Sequence, residues 1–349
     1  MAQRRVTMQD IADACGFSRN TVSKVFNGRG FVQEETRRIV LAKARELGYN
    51  VMPVEALEAT SEIVDDKTAP MQSIAVISRS NPLNHSFGSL FIKFFTDQIC
   101  RNGFTVQLYE ISEEEMRGCK LPPHISTATS AGILLIELFD RKYIDMICDM
   151  GLPVLVVDGY PDVNRTIYKC DYLSMENVAT SRELTKEVIH CGAKTIGFVG
   201  DIEHCNSFHE RWTGFTEAME EAGLPVNREL CIIEPDECPY WNRDWTIEQL
   251  QKMPFIPDAF VCANDYHAIK LMTALKHMNI RIPEDVMLTG FDNSVESTIV
   301  DPSLTTSFVP AKEMGILAAD VMLRRINMPD MPYYFTRIQT SPLIRKSTR

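Results

Sequence analysis

Residues 6–49 read VTMQDIADACGFSRNTVSKVFNGRGFVQEETRRIVLAKARELGY, and this stretch decides the first part of the fold. Thr7 stands where a helix cap is needed, with Asp10 in the first turn behind it. Met8, Ile11, Ala12 and Cys15 then recur on one helical face. Gly16 is the residue that ends a helix cheaply in a left-handed conformation, Phe17 plugs the core, and Ser18 caps a second helix over Arg19–Phe26. Val22 and Val25 face inward there, which leaves Arg19, Asn20, Ser23 and Lys24 outward. A third helix, Glu34 to Leu47, buries Val40, Ala44 and Leu47 and stops at Gly48. A short helix, a glycine turn and a second helix make a helix-turn-helix, the motif that places its second helix in the major groove.

The outward residue types fit that task. Arginine forks onto guanine and asparagine onto adenine, while Thr21, Ser23 and Lys24 suit phosphates or base edges. Any one of these side chains alone reads equally well as a solvated helix face; the set with Gly16 and Ser18 in place points to DNA. Charge agrees in direction. Residues 1–50 hold nine Lys/Arg against five Asp/Glu, a balance of +4, whereas the other 299 residues hold 27 against 42, a balance of −15. A modestly basic head on an acidic body suits a small polyanion-binding module joined to a part with another job.

The stretch closely resembles the head of the lactose-repressor/galactose-repressor (LacI/GalR) family of bacterial transcription regulators. The resemblance implies that Arg19 and Asn20 read bases and that Lys24 is a further base or phosphate contact. The expected DNA-contacting set is Thr7, Ser18, Arg19, Asn20, Thr21, Ser23, Lys24, Asn27 and Leu57. Gln33 departs from the family's Ser or Asp cap, and Cys15 from its usual Ala. The segment after Tyr49 departs most. Residues 50–72 read NVMPVEALEATSEIVDDKTAPMQ, with five acids and one lysine after Asn50. The family's linker helix wedges a leucine into the minor groove to kink the site. Here Leu57 lies near the wedge position, yet an ungapped count from Tyr49 puts Glu58 there. An acid beside phosphates costs affinity. Two readings stand: insertion is weak or absent, or a slip of one residue restores Leu57.

From Ser73 onward short apolar runs alternate with amphipathic ones. SIAVIS, FTVQLY, GILLI, PVLVVD, TIGFVG, LCIIE, DAFVCA and VMLTGF read as strands. The helices between them read as Phe87–Arg101, Lys142–Met150, Asn177–Cys191, Phe208–Ala222, Ile247–Lys252 and Tyr266–Met278, with Pro310–Arg325 after the last strand. The pattern predicts two doubly wound parallel-sheet subdomains of α/β type beside the small all-α head. The expected division is a head with linker helix at 1–58, an acidic linker at 59–72 and a ligand-binding and dimerisation domain at 73–349. Within that domain the first subdomain takes 73–170 and 309–332, and the second 171–308 and 333–349.

Ligands of such sheets bind beyond the carboxyl ends of the strands. Those ends carry Asp158, Asp201, Asn264-Asp265 and Asp292-Asn293, polar groups suited to a polyhydroxylated ligand. Asp201 reads better as a turn residue. Arg211, opening a helix, suits vicinal hydroxyls or a carboxylate. Trp245 reads equally as a sugar-stacking face or as a core aromatic. The body also resembles the periplasmic-sugar-binding-protein fold that the same family uses to sense its effector. The resemblance implies Arg211, Asn264 and Asp292 as the strongest effector contacts, followed by Trp245 and Asp158. His209, two residues from Arg211, joins the expected set. The mouth at Ser78–Phe87 keeps little of the family's pattern.

Other classes fit poorly. The ten cysteines are scattered singly with no CxxC, and no zinc spacing occurs, so reduced thiols in a cytoplasmic protein are expected. No dinucleotide, phosphate-loop or GxSxG motif is present, and His204, Cys205 and His209 lack a fourth ligand. No metal, cofactor or catalytic residue is expected, and no apolar run suits a membrane span or signal peptide. The expected protein is a ligand-responsive repressor of near-palindromic operator DNA, a homodimer whose effector is a small carbohydrate. Inducer and corepressor action both stay open for that effector. The competing readings are control by a protein corepressor, and a cytosolic sugar-binding protein or enzyme with a degenerate head.

Overall fold

Thr7 and Asp10 cap each other at the start of the chain's first helix: Asp10 Oδ2 accepts from the Thr7 backbone N–H at 2.8 Å, and Thr7 Oγ1 from the Asp10 N–H at 3.3 Å. This computed structural model describes residues 7–27, 32, 36, 38–40, 43–44, 72–84, 86–122, 125, 130–160 and 169–348. The expectations for Leu57, Glu58, the cap at Gln33 and the acidic linker therefore lie outside the described residues. The chain divides into two units, Met1–Pro70 and Met71–Arg349.

In the first unit α1 (Met8–Cys15) ends at Gly16, whose φ of 73° is the left-handed cap expected of it. After this turn Ser18 Oγ accepts from the Thr21 N–H at 3.1 Å and starts α2 (Arg19–Asn27). Ile11, Ala12, Val22 and Val25 bury themselves against Val40 and Ala44 of a third helical segment. Among the described residues these six small or branched side chains form the buried core, with Met8, Cys15, Phe17 and Val32 packed against it.

The second unit is built on two parallel sheets. The first joins β1 (Ser73–Ser78), β2 (Thr105–Glu110), β3 (Ser130–Ile136), β4 (Val154–Val157), β5 (Asp171–Met175) and β10 (Phe335–Ile338) in the order β10-β5-β4-β3-β1-β2. The second joins β6 (Ile196–Val199), β7 (Ala259–Cys262) and β8 (Met287–Thr289), and a short antiparallel pair, β9 (Thr306–Phe308) with β11 (Ser341–Leu343), lies beside it through the Thr289–Thr305 bridge. Apolar clusters cover both faces of each sheet, as parallel sheets require. The chain passes between the sheets three times, at 176–177, 309–310 and 339–340.

Two expectations need correction. LCIIE is not a strand: Arg228–Leu230 is a 3-10 turn, and Ile232 makes an isolated parallel bridge to Val199 before Pro235 turns the chain away. The subdomain boundaries also shift, because Asp171–Met175 and Phe335–Ile338 both belong to the first sheet rather than the second. The cause is a buried ion pair that no local pattern reveals. Arg325 Nε and Nη2 reach the two oxygens of Asp171 at 2.8 and 3.0 Å, and Tyr334 N–H donates to Asp171 Oδ1 at 2.8 Å. A strand that opens on a carboxylate is thereby buried beside its parallel neighbour.

Candidate functional site

On the head, Arg19, Asn20 and Lys24 are exposed along α2, while Thr21 and Ser23 are half-buried. Thr7 and Ser18 are exposed and spend their hydroxyls on local caps. The side chain of Asn27, like Leu57, lies outside the described residues. What the structure brings together is thus an outward pair, Arg19 and Asn20, at the N-terminal end of a rigidly capped helix, with Lys24 following on the same helix.

In the second unit the carboxyl ends of both sheets face one cavity of about 780 Å³. Ser78 of β1 leads to Arg79 and Ser80, Ile136 of β3 to Glu137, and Val157 of β4 to Asp158. From the other sheet β7 delivers Asn264 and Asp265, and β8 delivers Asp292. Three of these carboxylates sit at left-handed backbone positions, with φ of 52° at Glu137, 54° at Asp158 and 113° at Asp292. Aspartate tolerates this region better than glutamate does, and such strain clusters where strand ends present functional groups.

Arg211 lies on the floor of the cavity, in α7 (Asn206–Glu221) and 4% exposed. Its Nε donates to Asn177 Oδ1 at 3.0 Å and its Nη1 to the Ala263 carbonyl at 2.7 Å. Nη2 stands 3.5 Å from Asp292 Oδ1, and the guanidinium stacks over Phe291 at 3.8 Å from the ring centre. Asn177 in turn donates through Nδ2 to Glu210 Oε2 at 2.8 Å, and Arg337 closes the chain on Glu210 Oε1 at 2.6 Å. A buried cation is thereby fully partnered, which is the condition for burying it at all.

The carboxylates feel their surroundings. Burial, with repulsion from Asp265, Glu137 and Asp158, pushes Asp292 up to about 7 despite the Arg211 guanidinium. Burial likewise raises Asp265 to about 6, although Thr306 and the Ser294 N–H hold its charged form. Asp158 is raised too, burial outweighing the Ser207 and Gly159 N–H groups that its Oδ1 accepts at 3.2 and 2.9 Å. Asn264 caps α9 (Asp265–His277): its Oδ1 accepts from the His267 N–H at 2.9 Å and meets His267 Nδ1 at 2.7 Å. Burial lowers His267 to about 3, so the ring is neutral and Nδ1 carries its proton.

Of the expected ligand contacts, Asp158, Arg211, Asn264 and Asp292 line one cavity. His209 and Trp245 do not. Trp245, on α8 (Arg243–Lys252), packs edge-on against Tyr240 at 5.0 Å beside the second sheet's core, which is the alternative reading of that aromatic. His209 is one helical step away from the side of α7 that carries Ser207, Phe208 and Arg211 into the cavity. Asp201 is a turn residue, its oxygens accepting from the N–H groups of Glu203 and Asp236. Sequence reading missed Glu137, Phe139 and Phe208, and it named the mouth at Ser78–Phe87 without assigning contacts there; Arg79, Ser80, Ser86 and Phe87 line the cavity with them. Glu137, a lone acid directly after an apolar strand, was the available signal.

Comparisons with known proteins match both units. Residues 7–51 fit the model of the bacterial regulatory proteins of the lacI family, and residues 185–348 fit the periplasmic binding protein-like domain. The HTH-type transcriptional repressor PurR of Haemophilus influenzae (strain PittEE) is 26% identical over 98% of each chain. The probable HTH-type transcriptional repressor ExuR of Bacillus subtilis (strain 168) is 26% identical over 99% of this chain and 98% of its own. Among solved structures, a transcriptional regulator CelR–cellobiose complex superposes with a TM-score of 0.69 at 22% identity, covering 98% of this chain and all of that one. A lac repressor dimer bound to operator gives 0.68 at 21% identity over 99% of each.

Proposed function

We propose a ligand-controlled repressor's mechanism for this chain, which belongs to the lacI family of bacterial regulatory proteins. It is a DNA-binding transcription regulator. Two copies pair through the larger unit, and each places α2 in the major groove of one half of a near-palindromic operator, because a two-fold protein matches a two-fold site. Arg19 and Asn20 read base edges, with Lys24 and the hydroxyls of Thr7, Ser18, Thr21 and Ser23 on the backbone or base edges. Neighbouring structures bound to cellobiose and to operator DNA support this division of labour.

The observation that carries the reading is one chain holding both parts: an exposed Arg19–Asn20 pair on a capped helix and a cavity of about 780 Å³ at the strand ends. A small polyhydroxylated ligand enters that cavity, meeting Asp158 and Asp292 from opposite sheets, Asn264 through Nδ2, and Arg211 on the floor. A ligand that touches both sheets favours the arrangement in which they approach, and so biases the DNA-competent state by differential binding. No step in this mechanism is catalytic.

The test is selection of genomic fragments by the purified full-length protein at two salt concentrations, followed by DNA affinity with and without candidate sugars. One palindrome persisting at the higher salt, with an affinity that a sugar changes, is the expected result. Fragments recovered without sequence preference overturn the operator reading. An operator that responds only to an added host protein replaces the sugar with a protein corepressor.

A further inference from the structure

The charge in the cleft narrows the ligand's chemistry, given the reading of this cavity as the effector site. Around its floor stand Glu137, Asp158, Asp265 and Asp292, and Arg211 is the cation among them. Arg211 does not offer a free fork to an incoming anion. Nε, Nη1 and Nη2 face Asn177, the Ala263 carbonyl and Asp292, and the Phe291 ring covers one face of the guanidinium. Among the described residues the lining carries two further Arg or Lys side chains: Arg79 is exposed, and Lys270 lies over the Tyr266 ring at 5.3 Å. A carboxylate or phosphate entering here would lose water and gain like-charged neighbours. Phe87, Phe139 and Phe208 add aromatic faces to a lining that otherwise mixes serines with aliphatic side chains. Carboxylates beside aromatic faces are what an ammonium group prefers.

We propose that the effector is a polyhydroxylated molecule bearing a protonated amine, such as an aminodeoxy sugar, and that acidic sugars and sugar phosphates are excluded. The amine sits between Asp158 and Asp292, which arrive from opposite sheets, and its hydroxyls take the Arg211 and Asn264 side of the floor. Burial, with repulsion from Asp265, Glu137 and Asp158, raises the Asp292 carboxyl, and a bound cation offsets that repulsion.

The experiment measures thermal unfolding and operator affinity of the full-length protein with three matched sets: a pentose, a hexose and a disaccharide. Each set contains the neutral sugar, its aminodeoxy form and its carboxylate form, and magnesium chloride alone is a further probe. The aminodeoxy member of at least one set is expected to bind about tenfold more tightly than its neutral partner, as a charge-assisted hydrogen bond allows. Its carboxylate partner is expected to produce no shift. Asp158→Asn and Asp292→Asn should each bring the amine-to-neutral ratio close to one; taking the ratio within one variant cancels any loss of stability. A neutral or acidic sugar that binds best and changes operator affinity overturns the amine and leaves the effector cleft standing. An equal shift from magnesium alone, or a ratio unchanged in both variants, also overturns it. If no probe alters unfolding or operator affinity, the amine proposal falls together with the cleft reading, and the operator result alone remains.

Discussion

Asn177 Oδ1 accepts from Arg211 Nε at 3.0 Å, and neither side chain is more than 4% exposed. Asn177 is itself held by Glu210, and Glu210 by Arg337 on β10. The floor of the cleft is therefore positioned from the far edge of the first sheet. Asn177→Ala strips partners from Nε and from Glu210 together, and it should cost about 1–3 kcal/mol, the usual penalty for buried polar groups left unpaired. Urea unfolding checks this. A loss below experimental scatter would mean that Ala263 and Asp292 hold Arg211 unaided.

The Asp292 carboxyl, raised to about 7, makes stability depend on pH with a definite sign. Between the ordinary aspartate range and about 7 the folded chain binds more protons here than the unfolded chain does. The contribution of this group is therefore fully present at low pH and is lost as pH rises through that window. Wild type should lose stability relative to Asp292→Asn between about pH 4 and pH 7 and run parallel to it above. Asp265, raised to about 6 chiefly by burial, has the same sign in both proteins, so the gap between them reports Asp292 together with its repulsion from Asp265. Denaturant unfolding of both proteins across pH 4–8 is the measurement; a gap that stays constant sinks the assignment.

Arg19→Ala and Lys24→Ala should separate reading from holding. Loss of a bidentate base contact costs about 1–3 kcal/mol and relaxes preference at one operator position. Loss of a phosphate contact weakens all sequences alike and lowers the salt slope by about one unit. Fluorescence titrations against operator and scrambled duplex, at several salt concentrations, tell the two apart. Arg19→Ala behaving as a uniform weakening would make Arg19 a backbone contact.

Trp245→Ala should lower stability by about 3 kcal/mol, the loss typical of a packed aromatic, because Tyr240 and the second sheet's core lose its cover. Ligand preference should not change, since the indole lies outside the cavity lining. Calorimetry with any bound sugar checks both halves. A changed ligand preference at unchanged stability would return Trp245 to the cleft.

Gly16→Ala should weaken the head alone. The φ of 73° strains any residue with a Cβ, at about 1–2 kcal/mol, although the space around it is open. Operator affinity should fall while the unfolding of the larger unit is unmoved. Gly16→Asn, which tolerates this region better, should restore part of the loss.

Much of this molecule is legible without coordinates, and the illegible parts share a cause. Thr7, Gly16 and Ser18 announce the head because caps act on neighbours three or four residues away. Asp158, Asn264 and Asp292 are legible because strand ends are, and Arg211 because it lies near the start of the helix that follows one. Strand β5 was hidden by Asp171, whose charge looks wrong for a buried strand until Arg325, 154 residues later, is seen to pair with it. Glu137 and the aromatic walls were hidden because a cavity lining is set by how two sheets face each other. Trp245 shows the converse: residue type suggested stacking, and position decided for the core.

The three crossings between the sheets, at 176–177, 309–310 and 339–340, have a mechanical meaning. A single tether leaves two plates free to slide, twist and swing; three tethers side by side suppress sliding and twisting and leave one swing. Thr340 Oγ1 of the last crossing donates to the Glu176 carbonyl of the first and lies 2.8 Å from Thr180 Oγ1 in the helix that follows it. Whatever enters the cavity therefore acts on one coordinate, a jaw angle, and different ligands can differ only in how far along it they pull. For such a device the response is graded by ligand size and grip, and a point change at the tethers should alter the response to every ligand alike.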